Sequence, residues 1–163
     1  MIVYLSGHGF VDLKQNFWFL TREADVERLR ATAISLDDLI DLTASIPGKK
    51  ILLVDASHSG GVVDAFQSLN NVVRSDIVVY AASMGNGIAM ENATWDRHSA
   101  FAKALIEAIG EGKASIDPSK PITTDVLALY LEHRVKELTD GKQRPVMNRP
   151  LGIRDFPLAV ANP

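Results

Sequence analysis

The sequence predicts an α/β fold in which a mostly parallel sheet is covered by helices on both faces. Three observations lead there. Short β-rich runs alternate with amphipathic helical segments along the chain, which favours right-handed crossovers between parallel strands. The strand-like runs are continuously apolar, as buried parallel strands are. The unusual polar clusters fall directly after two of those runs, where open α/β sheets bind ligands.

In chain order, Ile2 to Leu5 reads as the first buried strand, and Ser6, Gly7, His8 and Gly9 follow it. Ser35 caps an amphipathic helix with Asp37 and Asp38 in its first turn and Leu39, Ile40, Leu42 and Ile46 along it, ended by Pro47 and Gly48. Lys50 to Ala56 is the second strand, running into Ser57, His58, Ser59, Gly60 and Gly61. Ile77 to Ser83 is the third. Ser99 to Ile109 places Phe101, Ala104, Leu105, Ala108 and Ile109 at helical spacing before Gly110 and Gly112. Thr123 or Thr124 caps a last helix to about Leu138, with Val126, Leu127, Tyr130, Leu131 and Val135 on its inner face. Residues 112–121 and 140–150 read as flexible connections.

Composition narrows the function. The 163 residues are 47% hydrophobic and 23% charged, enough for one sizeable core, so 1–163 reads as one domain or part of one. Seventeen Lys and Arg against 20 Asp and Glu give a net charge of -3, so no basic field favours nucleic acid or an anionic membrane. No apolar run approaches the length of a membrane span, and no secretory leader is legible, so a cytoplasmic location is expected. Cysteine is absent, which excludes disulfides, thiolate metal sites and a cysteine nucleophile in the chain as written. Gly85, Asn86 and Gly87 lack the pattern of a phosphate cradle, and no nucleotide is implied.

Two constellations carry chemistry. His8 between two glycines at a strand end suits an imidazole reaching into a cleft, with Gly9 allowing close backbone approach or offering its N–H to an oxyanion. A structural turn histidine is the alternative. Ser57 follows a buried strand that ends in small residues, and with His8 as base it would form a nucleophile and base pair for acyl transfer. The alternative there is a serine-rich turn capping the next helix. It is not a Gly-x-Ser-x-Gly elbow, because Asp55 and Ser59 stand where the glycines belong.

The two segments Val3 to Gly9 and Leu52 to Gly61 together resemble the caspase-like peptidases, in particular bacterial metacaspase or orthocaspase relatives. Their pattern is Tyr-x-Ser-Gly-His-Gly followed by Asp-x-Cys-His-Ser-Gly. The similarity continues through Tyr80 to Ser83, Trp95 to Phe101, and Gln143, Arg144 and Pro145 before a closing strand near Val146 to Asn148. The resemblance implies a caspase-like sandwich lacking its N-terminal strands in this chain. It also implies a cysteine-type endopeptidase that cleaves after Arg or Lys. His8 matches the family's catalytic histidine, and the N–H groups of Gly9 and of position 57 match its oxyanion hole. Asp55 matches the acid that receives a basic side chain preceding the scissile bond, and Ser6 lines the same pocket. Trp95 and His98 would border the cleft, or else serve the core and the helix cap.

Ser57 stands where that family has its cysteine. A thiol attacks as thiolate, whereas a serine hydroxyl must lose its proton to a well-aligned base during attack. Severe loss of peptidase activity is therefore expected, whether Ser57 is a natural feature of a pseudopeptidase or an introduced substitution. A non-catalytic peptide-binding scaffold is the alternative, and a serine hydrolase using Ser57 and His8 a third. No cofactor is required. The resemblance allows a calcium site at Asp37, Asp38 and Asp64 with Asp25, although Asp37 and Asp38 serve equally as first-turn helix acids. Peptides or proteins are the implied substrates. Because the first strand begins at residue 2 with a long apolar edge, a second chain segment or self-association is expected to complete that side of the sheet.

Overall fold

The structure, a computed structural model, describes residues 1–57, 77–84, 89–90 and 97–160. Its strands are β1 (Ile2–Val11), β2 (Phe17–Leu20), β3 (Ala33–Ser35), β4 (Lys50–Ala56), β5 (Ile77–Ala81), β6 (Pro121–Thr123), β7 (Val146–Asn148) and β8 (Pro157–Val160). The helices are a single turn α1 (Leu29–Thr32), α2 (Leu36–Ala44), α3 (Ala100–Leu105) and α4 (Thr124–Leu138).

Six strands form one sheet in the order β3-β2-β1-β4-β5-β7, and β6 and β8 pair separately. The central pairings β1 with β4 and β4 with β5 are parallel, as the apolar runs predict. The flanks are antiparallel, so the sheet is mixed, where a mostly parallel one was expected. The cause on one side is a tight turn. Asp12 accepts hydrogen bonds from the backbone N–H of Lys14 and Asn16, the Asn16 amide and the Trp18 indole, and this reverses the chain directly after β1. Burial works to raise the Asp12 pKa, but these four bonds hold it down to about 2. Such a short connection can only join antiparallel strands.

β1 therefore runs six residues beyond its apolar run, from Ser6 to Val11. Ile2 to Gly7 pairs with β4 on one edge, and His8 to Val11 pairs with β2 on the other. Among the described residues, nothing pairs with the outer edge of the Ile2–Gly7 half. Ile2 is 60% exposed and Tyr4 42%.

Helices cover both faces. Leu52, Val54, Ala56, Val79 and Ala81 pack with Phe17 and with Leu36 of α2. Ile51, Leu53, Val78 and Tyr80 pack on the other face against Phe101 and Ala104 of α3 and Leu127 and Leu131 of α4. The α2 cap is reciprocal: Ser35 Oγ accepts from Asp38 N–H, and the Asp38 carboxylate accepts from Ser35 N–H. α4 starts at Thr124 under a Thr123 cap, as its sequence predicts. The expected Ser99 to Ile109 helix is α-helical only to Leu105 and then widens into a π turn over Ile106–Gly110. Residues 140–150 are not a loose link. Gln143 is fully buried, with its amide donating to Ala82 C=O and its carbonyl accepting from Met90 N–H, and β7 follows it.

The π turn carries Glu107, buried between α3 and α4 and ion-paired to Arg134 at 2.6 Å. The Arg134 hydrogen bond lowers the Glu107 pKa. A carboxyl whose folded pKa is depressed contributes stability that is complete above its unfolded value and is lost as pH falls through the folded one. Glu107→Gln is expected to cost about 2 kcal/mol near neutral pH. Urea unfolding followed from neutral to acid should show the difference between the two proteins shrinking, and a constant difference would count against the pair as its source.

Candidate active site

The end of β4 changes abruptly in character. Lys50 to Ala56 is buried throughout, and the strand then delivers Asp55 and Ser57 on the same face as Ile51 and Leu53. The parallel register sets Ser6 opposite Asp55 and Gly7 opposite Ala56, so His8 and Ser57 each follow directly after the last pairing. By strand alternation Tyr4, Ser6 and His8 share the face that carries Asp55. That is the face on which α3 begins.

The backbone approach is closest at Gly9. A Cβ there would lie 2.3 Å from the Ser57 carbonyl oxygen and 2.7 Å from the Phe17 ring, so only glycine fits. At Gly7 an added Cβ would meet the tip of the Phe19 ring at 2.9 Å, a side chain able to shift. Gly9 is thus where β1 crosses the Ser57 turn.

Asp55 is 3% exposed. Its Oδ2 accepts from the Tyr4 hydroxyl at 2.6 Å and from the Ser99 hydroxyl. Ser99 is the N-cap of α3, its Oγ also accepting from Ala102 N–H at 2.9 Å. A buried carboxylate is costly unless donors meet it, and these two hydroxyls do so from β1 and from the start of α3. Burial first, then the Asp55 hydrogen bond, raises the Tyr4 pKa, so the phenol keeps its proton at every ordinary pH.

Ser57 Oγ accepts from Ala89 N–H at 3.2 Å. The neighbouring Met90 is held at both ends of its backbone, its N–H by Gln143 and its C=O by Ala100 N–H. A hydrogen-bonded frame thus runs from Gln143 through residues 89–90 to the Ser57 hydroxyl. The His8 imidazole is exposed, and no described residue hydrogen-bonds to it.

The structure therefore brings His8, Gly9, Ser6, Asp55 and Ser57 together where β1 passes the carboxyl end of β4. Sequence reasoning missed Tyr4, Ala89, Ser99 and Gln143 as parts of it. Tyr4 was legible as the residue two before Ser6 on one strand face, and Ser99 as a helix cap. The contacts from Ala89 and Gln143 join distant segments and leave no local signal. His98 is exposed beside Ser99. His58, Ser59, Gly60, Gly61, Asp64, Trp95 and the 85–87 loop lie outside the described residues. Of the four acids considered for calcium, Asp38 closes the α2 cap and Asp25 pairs with Arg28. Among the described residues no three metal-binding side chains come together. None of the described helices is long and apolar enough to cross a membrane.

The glycine-flanked histidine expected at a strand end lies within β1, directly past the last pairing with β4 and beside that strand's acid-bearing carboxyl end, where open α/β sheets place their sites. The caspase domain family matches residues 1–156, and the chain belongs to that family. It is a caspase-like peptidase domain of the cysteine peptidase class, and peptides are its class of substrate. No curated protein matches the chain.

The crossing at Gly9 is testable. Overpacking by one methyl costs about 1–3 kcal/mol where neighbours cannot yield. Gly9→Ala is expected to fall at or above that range, because it meets a backbone carbonyl. Chemical denaturation checks this, and a loss well below about 1 kcal/mol would show that the Ser57 turn yields freely.

Proposed function

We propose that the domain is a metacaspase- or orthocaspase-type endopeptidase built to cleave after Arg or Lys, with Ser57 at the nucleophile position and catalysis largely lost in the chain as it stands. The observation that carries this reading is Asp55: a buried acid set opposite Ser6 and directly before the Ser57 turn, as a receptor for a basic side chain next to the scissile bond. In a cysteine form, the thiolate at position 57 would attack the scissile carbonyl, and His8 would protonate the departing amine. The N–H groups of Gly9 and of residue 57 would receive the oxyanion.

Serine chemistry is less well supported. A serine nucleophile needs a base held in one orientation by a third group, and among the described residues nothing hydrogen-bonds to His8. The Ser57 hydroxyl is engaged by Ala89 instead. The same observation favours a second reading, in which the domain binds basic peptides without cutting them.

Peptide substrates with Arg, Lys or norleucine before the scissile bond separate these readings when offered to the Ser57 protein and to Ser57→Cys, with and without calcium. Cleavage by the Cys form alone is expected, and Asp55→Asn in that form should reduce kcat/KM for the Arg substrate about 10–100-fold relative to norleucine. Cleavage by the Ser form would establish serine chemistry. Silence from both would leave the binding module.

The open edge of β1 is proposed to take a further strand, from another segment or a second copy, because an exposed apolar edge presents unpaired backbone groups. Sedimentation at micromolar concentration should show association that Ile2→Lys reduces. A monomer before substitution would remove the second copy as the occupant of that edge.

A further inference from the structure

The two hydroxyls on Asp55 Oδ2 differ in freedom. Ser99 is buried, and its oxygen is locked by two hydrogen bonds, one given to Asp55 and one taken from Ala102 N–H. Tyr4 reaches the same oxygen from a side chain that is 42% exposed, on the half of β1 whose outer edge is unpaired among the described residues. One donor is held by the cap of α3, whereas the other comes from a residue that is far more exposed. Asp55 itself is almost wholly covered, and of the two hydroxyls on it that of Tyr4 belongs to the residue nearer solvent.

We propose that Tyr4 is a gate on Asp55: its hydroxyl caps the carboxylate in the empty site and gives way to the guanidinium or ammonium of a substrate, while Ser99 remains as the fixed anchor. This rests on the reading that Asp55 receives a basic side chain. In the empty site the phenol supplies the donor that a buried carboxylate needs. On binding, a charge-assisted bond replaces a neutral one, and an Arg fork restores two donors where one was removed. An uncharged side chain of similar length brings no donor to replace the phenol, so it leaves the phenol in place. The gate therefore costs affinity for basic side chains and leaves apolar ones unaffected.

Both hydroxyls bind one oxygen, so a purely structural role would make their removal act alike. The gate makes the signs opposite. Calorimetric binding to the Ser57 protein needs no turnover, with a short peptide bearing Arg before the scissile bond and its norleucine counterpart as probes. Tyr4→Phe keeps the ring and is expected to tighten the Arg peptide by up to about tenfold, the worth of one hydrogen bond to a charged group, and to leave the norleucine peptide unchanged. Ser99→Ala should weaken the Arg peptide. Thermal unfolding of each variant verifies that the fold is retained. If Tyr4→Phe weakens Arg-peptide binding or leaves it unmoved while Asp55→Asn still abolishes the Arg preference, the gate is wrong and the basic-side-chain reading survives. If the two peptides bind the unsubstituted protein equally and Asp55→Asn alters neither, both fall.

Discussion

A carboxylate in a protein interior obliges its surroundings to supply donors, and Asp55 sets that obligation at the junction of three elements. It is delivered by β4, met by the Tyr4 hydroxyl from β1 and met again by the cap of α3. Removing donors from a buried charge costs several kcal/mol, which is a large part of a domain's total stability. The acid therefore fixes where β1 stands along β4 and where α3 begins. Ser6 and Ser57 inherit their positions from that arrangement, one by register and the other by sequence adjacency.

The second constraint is the crossing at Gly9. β1 runs past the end of β4, and the Ser57 carbonyl comes so close that no side chain fits. The junction is thus a step in the sheet, where β1 overhangs the end of its neighbour. His8 stands on the overhang with nothing to orient it among the described residues. Ser57 is framed from the other side by Ala89, whose position follows from the Gln143 clamp on Met90. A thiolate tolerates an unanchored imidazole better than a hydroxyl does, since it need not lose its proton in the act of attack.

Much of this was legible in the sequence wherever a short-range pattern carried it. Lys50 to Ala56 is a strand because seven consecutive residues are buried, and the Ser35 and Thr123 caps announce their helices by local chemistry. β2 and β3 were missed because Phe17 to Leu20 and Ala33 to Ser35 are too short for periodicity to speak. What makes them strands is the Asp12 turn, a network visible only once folded. The π turn escaped because Ile106 to Gly110 keeps the apolar spacing of a helix. In the site, His8, Gly9 and Asp55 lay in compact motifs, whereas Tyr4, Ser99 and Gln143 act across 44 or more positions of sequence and gain meaning only from the register.

The division of β1 between two partners has a mechanical corollary. β2 occupies the outer edge from His8 onward, and any strand added to that edge must end where β2 begins. Six residues of parallel or antiparallel pairing, about 20 Å, is the most it can accept. β2 is thus a doorstop: it blocks a visiting strand from sliding forward across the histidine.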